Sequence, residues 1–185
     1  PMGFYSPSTI LQDAARHGVE VRDVDVTVSV WDCALEAAGE KSGIGSEASG
    51  ADRAVRLGFR VIKGFGEKAA RRIEAARSDG MLSSIDDLMR RAALNKAEIE
   101  ALAEAGALEP LVSGRRQALW KARTPRVGGL FEKLELGEPE VSLPELRPSE
   151  QLVLDYGRKG LSAEDHPLRQ LRERLRARGV LSANE

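Results

Sequence analysis

The sequence contains few aromatic residues and a single cysteine. Aromatic residues make up only 4% of the 185 positions, which argues against a platform that stacks single-stranded bases on aromatic faces. One cysteine excludes an internal disulfide and a cysteine-cluster zinc site. Because Cys33 lies in the apolar stretch "VSVWDCALE", we predict a buried structural thiol at this position and not a nucleophile.

The sequence also lacks a long apolar run and a secretory leader. No stretch of about 18 apolar residues occurs, so we expect no membrane association and a soluble, cytoplasmic protein. The first residue is Pro1 and the last residues are "LSANE". We therefore expect this chain to be a piece of a larger protein.

No catalytic group of residues is visible in the sequence. The two histidines, His17 and His166, have no metal-ligand spacing to each other or to Cys33. Asp23 and Asp25 would share one face of a strand, but their surroundings offer no third ligand. We therefore predict no catalytic residue, no metal site and no cofactor within this chain.

Charge is distributed unevenly, although the formal net charge is only −1. Nine acidic and four basic residues occupy positions 11–55, whereas seven basic and two acidic residues occupy 56–77. Positions 115–126 carry five basic residues and no acidic one. Any preference for an anionic partner must therefore come from these two basic zones and not from the total charge.

Turn and capping signals predict a mainly α-helical fold with a small N-terminal α/β segment. Ser6 and Pro7 are typical of a helix start, and Gly18 of a helix end. The following "VEVRDVDVTVSVWDCALE" alternates apolar and polar residues, which predicts strand with Val24, Val26, Val28 and Val30 on one face. Residues 37–51 are rich in Gly, Ser and Ala and predict a mobile loop.

Helical patterns continue from residue 58 to residue 108. The stretch "SSIDDLMRRA" begins with a serine cap and two aspartates at the helix start, Asp86 and Asp87. In "LNKAEIEALAEAGAL", Asn95 and Glu98 have the spacing of a capping box, and Gly106 predicts the helix end. We expect Ile99, Leu102, Ala103 and Ala105 to form the apolar face of this helix. Glu100 and Glu104 would give it an acidic face toward water.

Beyond these helices the chain predicts three further helical segments. "SGRRQALWKARTPR" predicts a short basic helix that ends at Pro125. Residues 132–150 are rich in proline and acidic residues, which predicts an extended linker. Two last helices are expected at about 149–157 and 166–178, where Gly160 and Gly179 serve as breaks.

The stretch "VIKGFGEKAARRIEAAR" at 61–77 predicts a helical hairpin that binds a phosphate backbone. Gly64 permits a positive φ in the turn, and Gly66 leaves the start of the second helix without a side chain. The amides at that helix start would then be available to an anion. We expect small Ala70 where the helices cross, with Ile62 and Ile73 buried against each other. The residues predicted to contact a DNA backbone are Lys63, Gly64, Phe65, Gly66, Glu67, Lys68, Arg71 and Arg72.

The stretch at 61–77 is also open to a purely structural interpretation. A lone GxG is weak evidence, and the same residues could form only a capped turn between packed helices with a solvated basic face. The "LNKAEIEALAEAGAL" segment looks like a second, degenerate copy of the hairpin. Because it is acidic and lacks the paired glycines, it is better interpreted as a structural partner.

The order of these segments resembles a known family. The stretches "PMGFYSPSTILQDAARHGVEVRDVDVTVSVWDCALE", "AVRLGFRVIKGFGEKAARRIEAAR", "SSIDDLMRRAALNKAEIEALAEAGALEPL" and "GRRQALW" resemble the bacterial C-family DNA polymerases. "PMGFYSP" and the late "GLSAEDHPLRQLRERLRARGVLSANE" look closest to the error-prone, damage-inducible branch, which is related to the polymerase III alpha subunit. The resemblance covers nearly the whole chain.

The resemblance implies a division of the chain into parts of such a polymerase. Residues 1–53 would be the end of the fingers, 54–112 a tandem helix-hairpin-helix domain and 113–131 the basic helix. The linker at 132–150 would be followed by a helical segment at 151–185 that leads to an oligonucleotide-binding barrel outside this chain.

The resemblance also implies partners and a metal for the longer protein. Duplex DNA would be bound by its phosphate backbone, and magnesium would be held in a palm domain upstream of this chain. A sliding clamp and mutagenesis accessory proteins would be further partners. The expected function is that of a non-catalytic, duplex-DNA-binding fragment of a DNA-directed DNA polymerase that acts in damage-induced mutagenesis and translesion synthesis.

Two other classes of function remain as alternatives. The chain could be a protein-interaction module, in which the acidic surface of 93–109, or the linker with the last helices, docks a mutagenesis partner while DNA binding is minor. It could also be a repair factor with a helix-hairpin-helix but no polymerase, which the long resemblance outside the hairpin disfavours.

Overall fold

The computed structural model of this protein describes residues 4–37, 53–124 and 143–181. Most of the predicted loop at 37–51, Pro125 and most of the predicted linker at 132–150 therefore lie outside the described residues. Within the described part the fold is mainly helical, with one small sheet, as the sequence predicts. No helix there is long and apolar enough to cross a membrane.

The N-terminal segment forms one helix and a three-stranded sheet. Helix α1 (Pro7–Arg16) begins as predicted, because the Ser6 hydroxyl accepts a hydrogen bond from the Thr9 amide at 3.2 Å. Strand β1 (Glu20–Arg22) pairs in parallel with β3 (Arg53–Arg56), and β2 (Ala34–Ala37) pairs antiparallel with the other edge of β3. The strand order is therefore β1-β3-β2.

The long strand predicted between residues 19 and 36 is wrong in its middle. The Asp25 carboxylate accepts a hydrogen bond from the Thr27 amide at 2.7 Å, and the Asp25 carbonyl accepts one from the Ser29 amide at 2.8 Å. This local turn competes with strand pairing, as aspartate side chains commonly do. Val24 and Val26 are buried, whereas Val28 and Val30 are exposed, so the four valines do not share one face.

Cys33 is also placed differently from the prediction. The structure leaves this free thiol exposed, just before β2. The apolar residues around it indicated burial, but the turn at Asp25 ends the regular alternation and changes which positions face the core.

Residues 57–123 form a compact helical unit. It contains a 3₁₀ turn at Phe59–Val61, helices α2 (Glu67–Ser78), α3 (Ile85–Arg91) and α4 (Lys96–Ala105), a second 3₁₀ turn at Glu109–Leu111, and helix α5 (Arg115–Arg123). The predicted caps of α3 and α4 are confirmed. Ser84 accepts from the Asp87 amide at 3.1 Å, and Asn95 and Glu98 form the capping box. Gly106 ends α4 with φ +83°.

The C-terminal part contributes two more helices, α6 (Pro148–Arg158) and α7 (Pro167–Arg176). Helix α6 begins at Pro148, so its first three residues lie within the predicted linker range. It packs beside α4, which also contacts α5. Because α4 is covered from several sides, its buried residues include Ala101 in addition to the predicted apolar face.

The acidic surface predicted for α4 is wrong at Glu104. Glu98 accepts a hydrogen bond from Arg72 of α2 at 2.6 Å. Glu104 pairs with Arg123 of α5 at 3.1 Å and with Arg158 of α6. Two of the carboxylates that the sequence placed toward water or at the helix cap therefore bind arginines of neighbouring helices.

Candidate nucleic-acid interface

The turn that joins the first 3₁₀ turn to α2 has the backbone that its two glycines predict. The Phe65 amide donates to the Ile62 carbonyl at 3.2 Å, which closes a tight turn over Lys63 and Gly64. Gly64 has φ +78°, a region that residues with a Cβ avoid. The first glycine is therefore required by the conformation of the turn.

Gly66 has a different role, because its backbone is not strained. It caps α2 with φ −94° and ψ 152°, and a Cβ added there would meet no heavy atom within 4 Å. Within the described ranges, no side chain caps this helix start. Among the described residues, we find no intramolecular acceptor for the amides of Gly66, Glu67 and Lys68. The helix start is therefore open to an external anion.

An apolar frame fixes the position of this open helix start. Ile62, Ala70 and Ile73 are almost completely buried, as expected for the two helical segments of the hairpin. Phe65 is also buried, with its ring centroid 5.7 Å from that of Phe59. Of the predicted contact residues, Phe65 can therefore offer only its backbone to a ligand.

The basic residues of the hairpin divide into two groups. Lys63 and Lys68 are exposed, and we find no ion pair for either within the described ranges. Arg71 is paired with Glu67 at 3.2 Å and with Glu74 at 2.8 Å. Hydrogen bonds to these carboxylates raise the pKa of Arg71, and the larger effect comes from Glu74. Arg71 would have to exchange these ion pairs for a phosphate, whereas the two lysines have no ion pair to break in the part of the chain that the structure describes.

Two further arginines of α2 are used inside the fold. Arg72 donates to the Ala93 carbonyl at 2.8 Å and to Glu98. Arg77 donates to the carbonyls of Val26 at 3.1 Å and Ser29 at 2.7 Å, and burial lowers the pKa of its guanidinium. The basic zone at 56–77 is therefore not one continuous solvent-exposed stripe.

The segment between α3 and α4 shares three features with the first turn. Ala93 has φ +47° at the place that corresponds to Gly64, Leu94 is buried like Phe65, and Asn95 caps α4 as Gly66 caps α2. Here, however, the Asn95 side chain accepts from the Glu98 amide at 2.9 Å. The second turn therefore resembles the first at these three positions, but its helix start is closed by its own side chain.

A contact that the sequence did not reveal joins the first turn to α6. The Lys63 amide donates to the Arg158 carbonyl at 2.8 Å, and the Arg158 guanidinium donates to the Lys63 carbonyl at 3.1 Å. These residues are 95 positions apart. No local pattern indicates such a pairing, because it depends on how the C-terminal segment returns to the hairpin.

Comparison with known proteins agrees with this architecture. A family model described as a helix-hairpin-helix motif matches residues 18–118. The error-prone DNA polymerase of Aromatoleum aromaticum is 45% identical over 186 residues, which cover 100% of this chain and 17% of that protein. The corresponding polymerase of Azoarcus sp. is 47% identical over 97% of this chain and 16% of its own length.

A third relative has a similar identity and a similar coverage. The error-prone DNA polymerase of Methylococcus capsulatus is 42% identical over 99% of this chain and 18% of its own length. The resemblance noted in the sequence is therefore confirmed. The chain spans less than a fifth of the length of these curated relatives.

Proposed function

Because this chain belongs to the helix-hairpin-helix motif family, we propose that it is a non-catalytic, duplex-DNA-binding part of an error-prone DNA polymerase. The observation that carries this proposal is the open start of α2, where two exposed lysines lie beside amides. In the described part of the chain, the amides have no cap and the lysines have no ion pair. Residues 63–68 bind the phosphate backbone of the duplex.

The geometry of the turn accounts for phosphate binding in two ways. The amides of Gly66, Glu67 and Lys68 point out of the first turn of α2, where the helix dipole also favours negative charge. Lys63 and Lys68 add charge on either side of that turn. Such contacts fix a protein on DNA without reading base edges, so the binding has no sequence preference.

The longer protein supplies the chemistry in this proposal. Its relatives are named error-prone DNA polymerases, and we assign to it DNA-directed DNA synthesis in damage-induced mutagenesis and translesion synthesis in the cytoplasm. Magnesium would be held by carboxylates outside this chain. Among the described residues we find no group of three or more His, Cys, Asp or Glu side chains able to hold a metal. A sliding clamp and accessory mutagenesis proteins are its proposed protein partners.

The alternative of a protein-interaction module has less support from the structure. That hypothesis relied on an acidic surface at 93–109, but Glu98 and Glu104 are paired with arginines of neighbouring helices. Only the linker with the last helices remains for such a role. We therefore retain DNA-backbone binding as the proposed function.

A salt titration tests the proposal directly. The 185-residue chain is mixed with fluorescent duplexes of two unrelated sequences, and anisotropy is measured over a range of salt concentrations. Both duplexes should bind equally, with a slope of log affinity against log salt of about −0.9 per neutralised phosphate, hence about −2 for two lysines. Binding that does not depend on salt, or no binding even at low salt, contradicts the proposal.

A second measurement tests the non-catalytic assignment. The purified chain is incubated with a primed template, deoxynucleotides and magnesium, and no primer extension should occur because phosphoryl transfer needs metal ions held beside the primer end. Extension by the pure chain would overturn that part of the proposal.

A further inference from the structure

The end of α6 lies directly on the candidate phosphate-binding turn. The two backbone groups of Lys63 are both taken up by Arg158: the amide donates to its carbonyl at 2.8 Å, and the carbonyl accepts from its guanidinium at 3.1 Å. A Cβ built on Gly64 would lie 3.7 Å from the same guanidinium. The turn is thus held at Lys63 by one residue of another helix.

Arg158 also connects the turn to α4. Its Nε donates to Glu104 at 2.9 Å, and its second terminal nitrogen pairs with the same carboxylate. Glu104 is further held by Arg123 of α5. Because all parts of the Arg158 guanidinium are engaged within the fold, this arginine has little capacity left for a phosphate.

The next residue along the chain, Lys159, connects the end of α6 to other elements. The Lys159 side chain is completely buried, and its ammonium group lies 3.0 Å from Asp155 and also contacts Asp23. Asp155 in turn pairs with Arg115 of α5 at 2.8 Å. These contacts anchor the end of α6 to α5 and to the N-terminal segment. They therefore help to fix the position of Arg158, which precedes Lys159 in the chain.

Gly160 brings the chain close to the side chain of Lys63. It has φ +75°, and a Cβ built there would lie 3.6 Å from the Lys63 ammonium nitrogen. The backbone that follows α6 therefore runs beside this lysine. Residues 158–160 therefore hold the backbone of Lys63 and run beside its side chain.

We propose that Arg158 is a positioning residue for DNA-backbone binding, which holds the turn at Lys63 and Gly64 so that the amides of α2 and the lysines meet the same phosphates. This inference rests on the proposed function. It assigns a role in DNA binding to a helix that begins inside a stretch the sequence predicts to be linker, and it makes the hairpin dependent on α6.

The test compares variants of the 185-residue chain by anisotropy with a labelled duplex. Arg158→Ala should weaken binding by roughly three- to tenfold, the effect of about one lost hydrogen bond. The salt slope should stay unchanged, because the cations that neutralise phosphate are still present. Amide hydrogen exchange in residues 62–66 should become faster. Arg116→Ala, which breaks the exposed pair with Glu150, should change none of these properties.

A conservative variant keeps the test decisive. Arg158→Lys retains the charge but can reach only one of its two partners, so its affinity should lie between that of the parent and that of Arg158→Ala. If Arg158→Ala does not fold, Arg158→Lys should still bind more weakly than the parent, with faster exchange at 62–66.

The outcomes separate this inference from the proposed function. A parent chain that does not bind duplex DNA would overturn the proposed function and this inference with it. A parent that binds, together with Arg158→Ala and Arg158→Lys variants that bind equally well, would overturn the inference alone. A salt slope reduced by about one in Arg158→Ala would also overturn it, because Arg158 would then contact a phosphate itself.

Discussion

Lys159 of α6 pairs with Asp23 of the N-terminal segment, 136 positions earlier in the chain. The lysine side chain is completely buried and reaches a second carboxylate, that of Asp155. This ion pair joins the N-terminal segment to the end of α6. Removal of one partner of a buried ion pair leaves the other charge buried and unpaired.

The first prediction concerns this pair. Lys159→Ala should lower the free energy of unfolding by about 3 kcal/mol, because buried Asp155 and partly buried Asp23 lose a partner. Urea denaturation followed by circular dichroism measures the change. Lys121→Ala, which removes an exposed lysine of α5, should stay within about 0.5 kcal/mol of the parent. Equal effects of the two substitutions would show that the pair does not stabilise the fold.

The second prediction separates the role of Gly66 in folding from its role in binding. Gly66→Asn should raise the free energy of unfolding by a few tenths of a kcal/mol, because asparagine is a good helix cap and the position has φ −94° and open space. The same side chain would occupy the amides of α2, so duplex binding should weaken by roughly threefold or more. Denaturation and anisotropy give the two values.

The matched control for this prediction is the second turn. Asn95→Gly should lower stability by a few tenths of a kcal/mol through loss of the cap on α4, with no change in DNA affinity. If Gly66→Asn binds the duplex as tightly as the parent, the amides of α2 do not contact phosphate, and the glycines serve only the turn.

The third prediction compares one lysine at each helix start. Lys68→Ala should reduce the salt slope of duplex binding by about one, because one neutralised phosphate is lost. Lys96→Ala, an exposed lysine at the start of α4, should leave the slope unchanged. A smaller slope for Lys96→Ala would show that the second turn also contacts DNA, and an unchanged slope for Lys68→Ala would remove Lys68 from the site.

The fourth prediction concerns stability at low pH. The Asp87 carboxylate accepts a hydrogen bond from the Ser83 amide and pairs with Arg91 and Arg90, and these contacts lower its pKa to about 2. A carboxylate with a lowered pKa stabilises the fold fully above its ordinary value near 4, and this contribution is lost as the pH falls toward 2.

Asp87→Asn therefore removes a stabilisation that depends on pH. The difference in unfolding free energy between parent and variant should be constant above about pH 5 and should shrink as the pH falls from about 4 to 2. Urea denaturation at several pH values measures it. Parallel curves for the two proteins over this whole range would contradict the assigned role of Asp87.

Features that depend on local chemistry could be predicted from the sequence. The serine and asparagine caps of α1, α3 and α4, the end of α4 at Gly106 and the positive φ of Gly64 all follow from neighbouring residues. The apolar frame of the hairpin follows from spacing along a helix. Each of these signals acts within about one helical turn, so no knowledge of the fold is needed to interpret it.

Which charged side chains are available to bind a ligand depends on the packing of the helices against one another. Glu104 and Arg72 looked like surface residues in the sequence, but Arg158, Arg123 and Glu98 from other helices bind them. The contact of Arg158 with Lys63 spans 95 positions. A charged side chain on a helix can face either water or a neighbouring helix with the same local pattern. Its partner is fixed only when the packing of the whole chain brings the two groups together.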